Sequence, residues 1–438
     1  FYLNFETMEK QKRKVAIIGA GVSGMTAAVE LVDRCDVHLY EATNRVGGRA
    51  TTIQDNKTQE IIDNGQHICI GAYNFFFDFL KSIGGMDHFQ ILEKYDIPYF
   101  YNGRFGALTS KIFTGKFGLL EAILRDSNFS FKEKWNTIVF ALKVQMDSIS
   151  FQNYSDCYDL LYRNNQSENV IRVLWEPLIV STMNTPIKKA SPLIFENIML
   201  DGFLGKSQNA AFYLPKSNFG KLFEGFESFF SKNNNKLYYN TPIKTVNQTK
   251  GKYLVNNEYY DYVIITTPSF ISKRILSELP LVIEVPDYSP IISVYFWTDS
   301  KLFDSFMISS VDSCFDWIFN RDKLLDRRED TYSYQITTSD AVRFAKLKDE
   351  DIISMMESDL RRMFGEEFEI SHFKIVRELM ATFLADKKNN QKRPKVKTSL
   401  QGLYLAGDYS DNGYPSTLEG AAKNGFRASH YILKHIQE

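Results

Sequence analysis

The sequence is short of cysteine, of a surplus of either charge and of long apolar runs, and each shortage excludes something. Cys35, Cys69, Cys157 and Cys314 are the only cysteines in 438 residues, and none lies in a CxxC pair or at metal-ligand spacing. Neither a disulfide framework nor a metal site is expected, and a reducing, cytoplasmic setting fits. Lys+Arg numbers 52 against 53 Asp+Glu, a formal net charge of −1, which excludes a nucleic-acid partner held by a bulk basic field. No apolar run approaches the roughly 18 residues of a spanning helix. The longest runs, such as Val15–Ala20 and Val263–Ile265, have strand length. No signal peptide and no Gx-Ser-xG elbow are apparent. Met8, followed by Glu-Lys-Gln-Lys-Arg-Lys, is the expected natural start, with Phe1–Thr7 a remnant ahead of it. What is present is an ordinary globular balance, 44% hydrophobic and 24% charged, with length for about two to three domains. Aromatic residues make up 14% of the chain, enough to wall a core or a pocket for an apolar ligand.

The most informative stretch comes first. Val15-Ala-Ile-Ile-Gly19 reads as a strand buried on both faces and runs into Gly19-Ala-Gly21-Val22-Ser23-Gly24. Met25–Leu31 continues as a helix, Asp33–Asp36 breaks it, and Val37–Glu41 reads as a second strand ending in an acid. Gly19 permits the tight turn, Gly21 lets backbone approach a pyrophosphate, and Gly24 lets helix and strand touch. The helix N-terminus then faces the phosphates, and Glu41 accepts the ribose hydroxyls of an adenosine. Only one such fingerprint is present, so no second dinucleotide site is expected and the reductant comes from an external electron donor.

The segment that follows, Glu41-Ala42-Thr-Asn-Arg45-Val-Gly47-Gly48-Arg49, resembles the extended signature of the flavin amine oxidase and phytoene desaturase superfamily. The resemblance implies FAD and an α/β fold: a Rossmann-like FAD-binding domain with an interleaved α+β substrate domain. Arg45 and Arg49 would neutralise phosphate charge, and Asn64-Gly65-Gln66-His67 would pass near the flavin ring. At the other end, Gly407-Asp408 would take a ribityl hydroxyl, and Ser416-Thr417-Leu418 would turn a helix N-terminus toward the flavin. Thr241–Val246 and Tyr262–Thr267 match the middle segments, Val246 lending its backbone to the adenine. The FAD-binding domain is therefore expected from about 11–85, 215–285 and 395–438, and the substrate domain from 86–214, mainly helical, and 286–394. In the latter, residues 290–345 read as antiparallel strands, Asp349–Phe364 as an amphipathic helix and Phe373–Phe383 as a strand. The basic stretch Lys387–Lys397 reads as a solvated linker, with contact to an anionic membrane surface as the alternative.

Leu174-Trp-Glu-Pro-Leu…Asn184-Thr-Pro186, Ala211-Phe-Tyr-Leu-Pro215 and Gly407-Asp-Tyr-Ser-Asp411-Asn-Gly413-Tyr-Pro415 together resemble the hydroxysqualene dehydroxylase family over roughly residues 12–437. Tyr409-Ser410 and Tyr414 depart from the family pattern, which puts pocket shape in question. The resemblance implies a hydrophobic polyprenyl substrate and reductive loss of its hydroxyl. Hydroxide is a poor leaving group, so a proton donor is needed, and water must be kept from the allylic cation. His67, Asp411 and Asn184 are the candidates for the acid and its polar surroundings, with Glu176 behind them. A carotenoid desaturase, a flavin amine oxidase and a non-catalytic carrier remain as rivals; Thr417 stands where amine oxidases usually carry an aromatic residue. The Phe-rich region Phe113–Phe140, with Lys111, Lys116, Lys132 and Lys134 interleaved, reads either as a surface for peripheral contact with the inner membrane or as ordinary amphipathic core.

Overall fold

The computed structural model describes residues 12–232, 235–327 and 332–437. The expected start at Met8 and its leader lie outside the described residues. A five-stranded, all-parallel sheet takes its strands, in spatial order, from Lys236–Tyr238, Cys35–Tyr40, Arg13–Ile18, Tyr262–Ile265 and Leu403–Leu405. Such strands must be apolar on both faces, and Val15–Ile18 obeys. Val15 and Ile17 pack among the helices Val22–Leu31 and Leu418–Gln437. Ala16 and Ile18 pack against Tyr253, Val255 and Tyr260 of a small antiparallel sheet. The two helices meet closely because Gly425 presents no Cβ to the carbonyl of Ser23.

A seven-stranded sheet carries the rest, in the order Ile370–Phe383, Tyr288–Thr298, Tyr332–Thr338, Trp317–Asn320, Met307–Ser310, Asp96–Tyr101, Arg104–Thr109. Its pairs are antiparallel except that between Met307–Ser310 and Asp96–Tyr101. One face packs on the helix Asp349–Phe364, which buries Ile352, Met356, Leu360 and Met363 at helical spacing. Each such side chain is worth about 1.5–3 kcal/mol of burial. The opposite face is the floor of the cavity described below.

Two expectations need refinement. Residues 86–214 carry many helices but open with three strands, Phe89–Leu92, Asp96–Tyr101 and Arg104–Thr109. Asn102 and Gly103 both take positive φ, 51° and 71°, the turn that a two-residue hairpin requires. Nor is Lys387–Lys397 merely a solvated linker. It forms a short helix, Lys387–Gln391, and then buries Arg393. That guanidinium donates to the carbonyl oxygens of Tyr409 (3.2 Å) and Ser410 (2.8 Å) and to Asn412 Oδ1 (3.1 Å), above the Phe383 ring. Burial lowers Arg393 to about 10.

Among the described residues, the four cysteines are buried thiols, no helix is long and apolar enough to cross a membrane, and no cluster could hold a metal ion.

Candidate active site

A continuous cavity of about 1070 Å³ runs from the C-terminal edge of the parallel sheet, over the floor of the seven-stranded sheet, to the helices Gly115–Arg125 and Phe131–Gln145. At its first end Gly19 adopts φ +105° and donates its N–H to Tyr40 O at 2.8 Å. Gly21 caps the helix Val22–Leu31 in extended conformation without a side-chain cap, so the first-turn N–H groups face the cavity. A Cβ on Gly21 would meet nothing within 4 Å, because that side is cavity, whereas one on Gly24 would lie 1.9 Å from Gly19 O. Gly21 therefore admits a ligand and Gly24 admits the strand. The Gly47 N–H bonds Ala20 O at 2.9 Å, laying the Gly-Gly loop against the turn. Glu41 Oε2 accepts from the Ala20 N–H, and Oε1 from the Thr43 N–H and hydroxyl, each at 2.9 Å. This donor set, a free helix N-terminus flanked by Arg45 with an oriented carboxylate beyond it, fits the adenosine diphosphate half of FAD.

Of the expected cofactor residues, Gly19, Gly21, Val22, Ser23, Glu41, Ala42, Arg45, Gly47, Gly48, Arg49, Asn64, Gly65, Gln66, His67, Thr267, Asp408, Ser416, Thr417 and Leu418 all line this cavity. Gly24, Gly407 and Val246 do not. A Cβ on Gly407 would strike the Tyr409 ring at 2.4 Å. Val246 is fully buried and gives its N–H to Ile275 O; Pro242, Ile243 and Arg274 wall that end instead. Arg49 is not a free counter-charge. Its guanidinium donates to Asp408 Oδ1 and to Ala381 O, both at 2.6 Å. The Arg49 charge and hydrogen bond, together with the Ser416 hydroxyl, hold the Asp408 carboxyl below its ordinary range despite burial.

The acid candidates fare differently. His67 faces the cavity with its ring 4.7 Å from that of Phe219. Burial, helped by the Arg49 charge, lowers it to about 4, so it is a neutral imidazole near pH 7 and not a standing acid. Asp411 is exposed and lies outside the cavity, so apolar walls do not surround it. Asn184 lines the cavity, but its amide is committed. Its Nδ2 donates to Ser289 O (3.0 Å) and Thr382 Oγ1 (2.9 Å), and its Oδ1 accepts from the Asp340 N–H (2.7 Å). With φ +46° it ends the helix Glu176–Met183 and clamps that end to the sheet. Glu176 pairs with Arg172 at 3.4 Å, outside the lining. Tyr409 and Tyr414, the two departures expected to alter the pocket, do not line it either; the Tyr409 hydroxyl bonds Ser272 at 2.9 Å.

Beyond Gln66 the walls become apolar, with Ile97, Leu108, Trp175, Phe203, Phe212 and Phe319 among them. Polar groups on the floor are sparse: Glu378, Thr382, Thr337, Ser339 and Ser309. Sequence reading did not single these out, since nothing near them in the chain marks them. At the far end Phe117, Leu120 and Leu142 line the cavity and are also surface residues, 54%, 37% and 50% exposed. The chamber therefore opens there. Around the mouth Ile112, Phe113, Phe131, Trp135 and Met146 are all more than half exposed. A capping box between Ser130 and Glu133 starts the second helix with Phe131 outermost.

The flavin containing amine oxidoreductase family matches residues 22–433 of the chain. A hydroxysqualene dehydroxylase of Zymomonas mobilis is 25% identical, over 96% of this chain and 99% of its own. A zeta-carotene desaturase of a Synechocystis species is 20% identical, over 96% and 97%. Among solved structures, cyclohexylamine oxidase from Brevibacterium oxydans superposes with a TM-score of 0.69 at 15% identity, covering 98% of this chain and all of that one. An oxidoreductase from Methanosarcina mazei gives 0.71 at 16% identity, covering 95% of this chain and all of that one.

Proposed function

Since the chain belongs to the flavin containing amine oxidoreductase family and is an FAD-dependent oxidoreductase, we propose that it removes the hydroxyl group of a polyprenyl alcohol reductively, hydroxysqualene being converted to squalene. The observation that carries this reading is the continuity of the dinucleotide cradle with a long apolar chamber that has few polar groups on its floor and opens among exposed apolar side chains. Full-length similarity to hydroxysqualene dehydroxylases of three bacteria supports it. Reduced flavin, when bound, supplies the hydride. The chain's own contribution is to bind and orient the two polyprenyl arms, to exclude water that would recapture a cation, and to offer aromatic faces such as Trp175 and Trp317 that stabilise a cation without attacking it. Thr417, where an aromatic wall would serve an amine, favours this substrate class over amines.

The test is anaerobic. Chemically reduced protein mixed with hydroxysqualene is expected to release squalene as its yellow colour returns. Bleaching of the oxidised protein by phytoene or zeta-carotene, with desaturated products, would replace this reading with a carotenoid desaturase. Bleaching by benzylamine would replace it with an amine oxidase.

A substrate that partitions into bilayers needs an entrance at a lipid surface, and we assign that role to the mouth at residues 112–146. Its exposed apolar side chains are interleaved with Lys111, Lys116, Lys132 and Lys134, which suits anionic headgroups at the cytoplasmic face. The protein is expected to sediment with anionic liposomes. Phe131→Glu with Trp135→Glu, at side chains 84% and 58% exposed, should weaken that binding at least ~10-fold without loss of thermal stability. Equal sedimentation of the variant would remove the assignment.

A further inference from the structure

With His67 neutral, Asp411 exposed and Asn184 committed, none of the three expected residues supplies the proton that dehydroxylation needs. Three other carboxyls, Glu419 buried and Asp63 and Glu378 half-buried, bear on that vacancy, apart from Asp316. Asp63, raised to about 7 by burial, takes the Phe219 N–H at 2.9 Å and faces a separate small polar pocket shared with Arg321 and Gln335. Glu419, also raised to about 7, accepts the N–H groups of Phe75 and Phe76 at the start of the helix Asn74–Ile83 and does not line the chamber. Glu378 does line it, but its contacts, Asn64 Nδ2 at 3.2 Å and the Met380 N–H at 3.4 Å, are donors to its oxygens. It stands at the cofactor end, beside Asn64, whose Nδ2 also bonds Arg49 O.

Asp316 differs. It precedes the strand Trp317–Asn320, and its Oδ2 accepts the Ser339 N–H at 2.6 Å. That backbone contact sets the Ser339 side chain beside the same carboxyl. Ser339 itself lines the chamber, one residue past the ladder pair Ile292–Thr338 on a floor that also bears Ile291 and Glu378. Its turn is pinned by Asn184, whose Oδ1 holds the N–H of Asp340 in a left-handed conformation. Arg343, Asp340 and Ser339 are the charged and polar groups acting on Asp316; Arg343 and the hydrogen bonds lower it, while burial and Asp340 raise it, and burial prevails, to about 6. A serine hydroxyl on an apolar chamber floor, backed by a carboxyl able to hold a proton, is a donor with a reservoir.

We propose that Ser339 and Asp316 form a proton relay for the departing hydroxyl, Ser339 Oγ touching the substrate oxygen and Asp316 replenishing Ser339 from behind. The proposal rests on the dehydroxylation reading. The carbon–oxygen bond breaks with its electron pair on oxygen. That oxygen takes the Ser339 proton and leaves as water. Asp316 returns a proton to Ser339 and becomes a carboxylate, and the carbon takes a hydride from reduced flavin, which is oxidised by two electrons. Asn184 is a positioning residue for this pair.

The test compares wild type with Asp316→Asn, Ser339→Ala and Ser339→Thr, all loaded with FAD, by anaerobic squalene formation and by infrared difference spectra. In wild type the rate is expected to fall as pH rises through about 6, with a protonated-carboxyl band disappearing over the same range. Asp316→Asn should lose that band and the pH dependence, and run at least ~100-fold slower. Ser339→Ala should be as slow while keeping the band, and Ser339→Thr should recover most of the rate. A wild-type rate and pH profile in Asp316→Asn or Ser339→Ala, or no titrating band in wild type, would overturn the relay and leave dehydroxylation standing. A wild-type protein that forms no squalene removes both.

Discussion

Asp408→Ala is expected to purify without its yellow colour. In the native chain Asp408 is 8% exposed, and its carboxylate receives the Arg49 guanidinium at 2.6 Å. The two residues come from opposite ends of the chain, and their pairing closes the cavity wall at the point where the flavin's ribityl chain is expected. Removing the carboxylate has two consequences. It leaves Arg49, one-third exposed on the cavity side, without its ion pair; loss of one partner of a fully buried pair costs about 3–5 kcal/mol, and partial access to cavity water reduces that. It also removes the acceptor proposed for a ribityl hydroxyl. Together these should weaken FAD binding at least ~100-fold, about 2.7 kcal/mol. Asp408→Asn keeps an acceptor oxygen and the side-chain volume and should retain part of the flavin. Equilibrium titration with FAD, followed by its visible spectrum, reads both variants. Full retention of flavin by Asp408→Ala would show that the pair is dispensable to the site.

Gly24→Val is expected to fail at folding, whereas Gly21→Ala should fold and fail at binding. The two glycines stand three residues apart in one motif, yet space around them differs. A Cβ on Gly24 would fall 1.9 Å from Gly19 O, 2.9 Å from Thr266 Oγ1 and 3.1 Å from the Gly19 carbonyl carbon. Backbone holds the first and third of these atoms, and Thr266 is fixed by its bonds to Ile18 O and Gly19 O. The helix Val22–Leu31 would have to lift from the sheet, at a cost of at least ~3 kcal/mol. Gly21 has ordinary φ, −71°, and an alanine Cβ there meets open cavity. Gly21→Ala should therefore unfold at the wild-type temperature while losing flavin affinity, because its methyl group occupies the approach of the pyrophosphate. Thermal unfolding of the FAD-free proteins separates the two. Equal destabilisation by both substitutions would contradict this division.

Much of the cofactor cradle was legible because its parts are close in sequence. The strand, turn, helix and acid from Val15 to Glu41 lie within 27 residues, and each residue type there is dictated by a local demand: two-sided burial, positive φ, close approach or charge. The helix Asp349–Phe364 and the strands from Tyr288 onward were legible for the same reason, since periodicity is a local property. The hairpin at Asn102-Gly103 went unread, because the helical pattern that follows it dominated the reading of residues 86–214.

The sequence by itself determined the parallel nucleotide-binding sheet, because short-range sterics and burial patterns leave few alternatives there, and the resemblance of Glu41–Arg49 to a known superfamily signature added the flavin class. Tertiary structure alone decided which polar groups face the chamber. Asn184 becomes a clamp only because Ser289, Asp340 and Thr382 converge on it, Arg393 becomes a loop staple only beneath Tyr409–Asn412, and Asp316 becomes a half-buried acid only behind Ser339. A carboxyl's proton affinity depends on desolvation and on neighbouring charges within several ångströms, and those neighbours are brought together by folding from positions that the linear chain keeps tens to hundreds of residues apart.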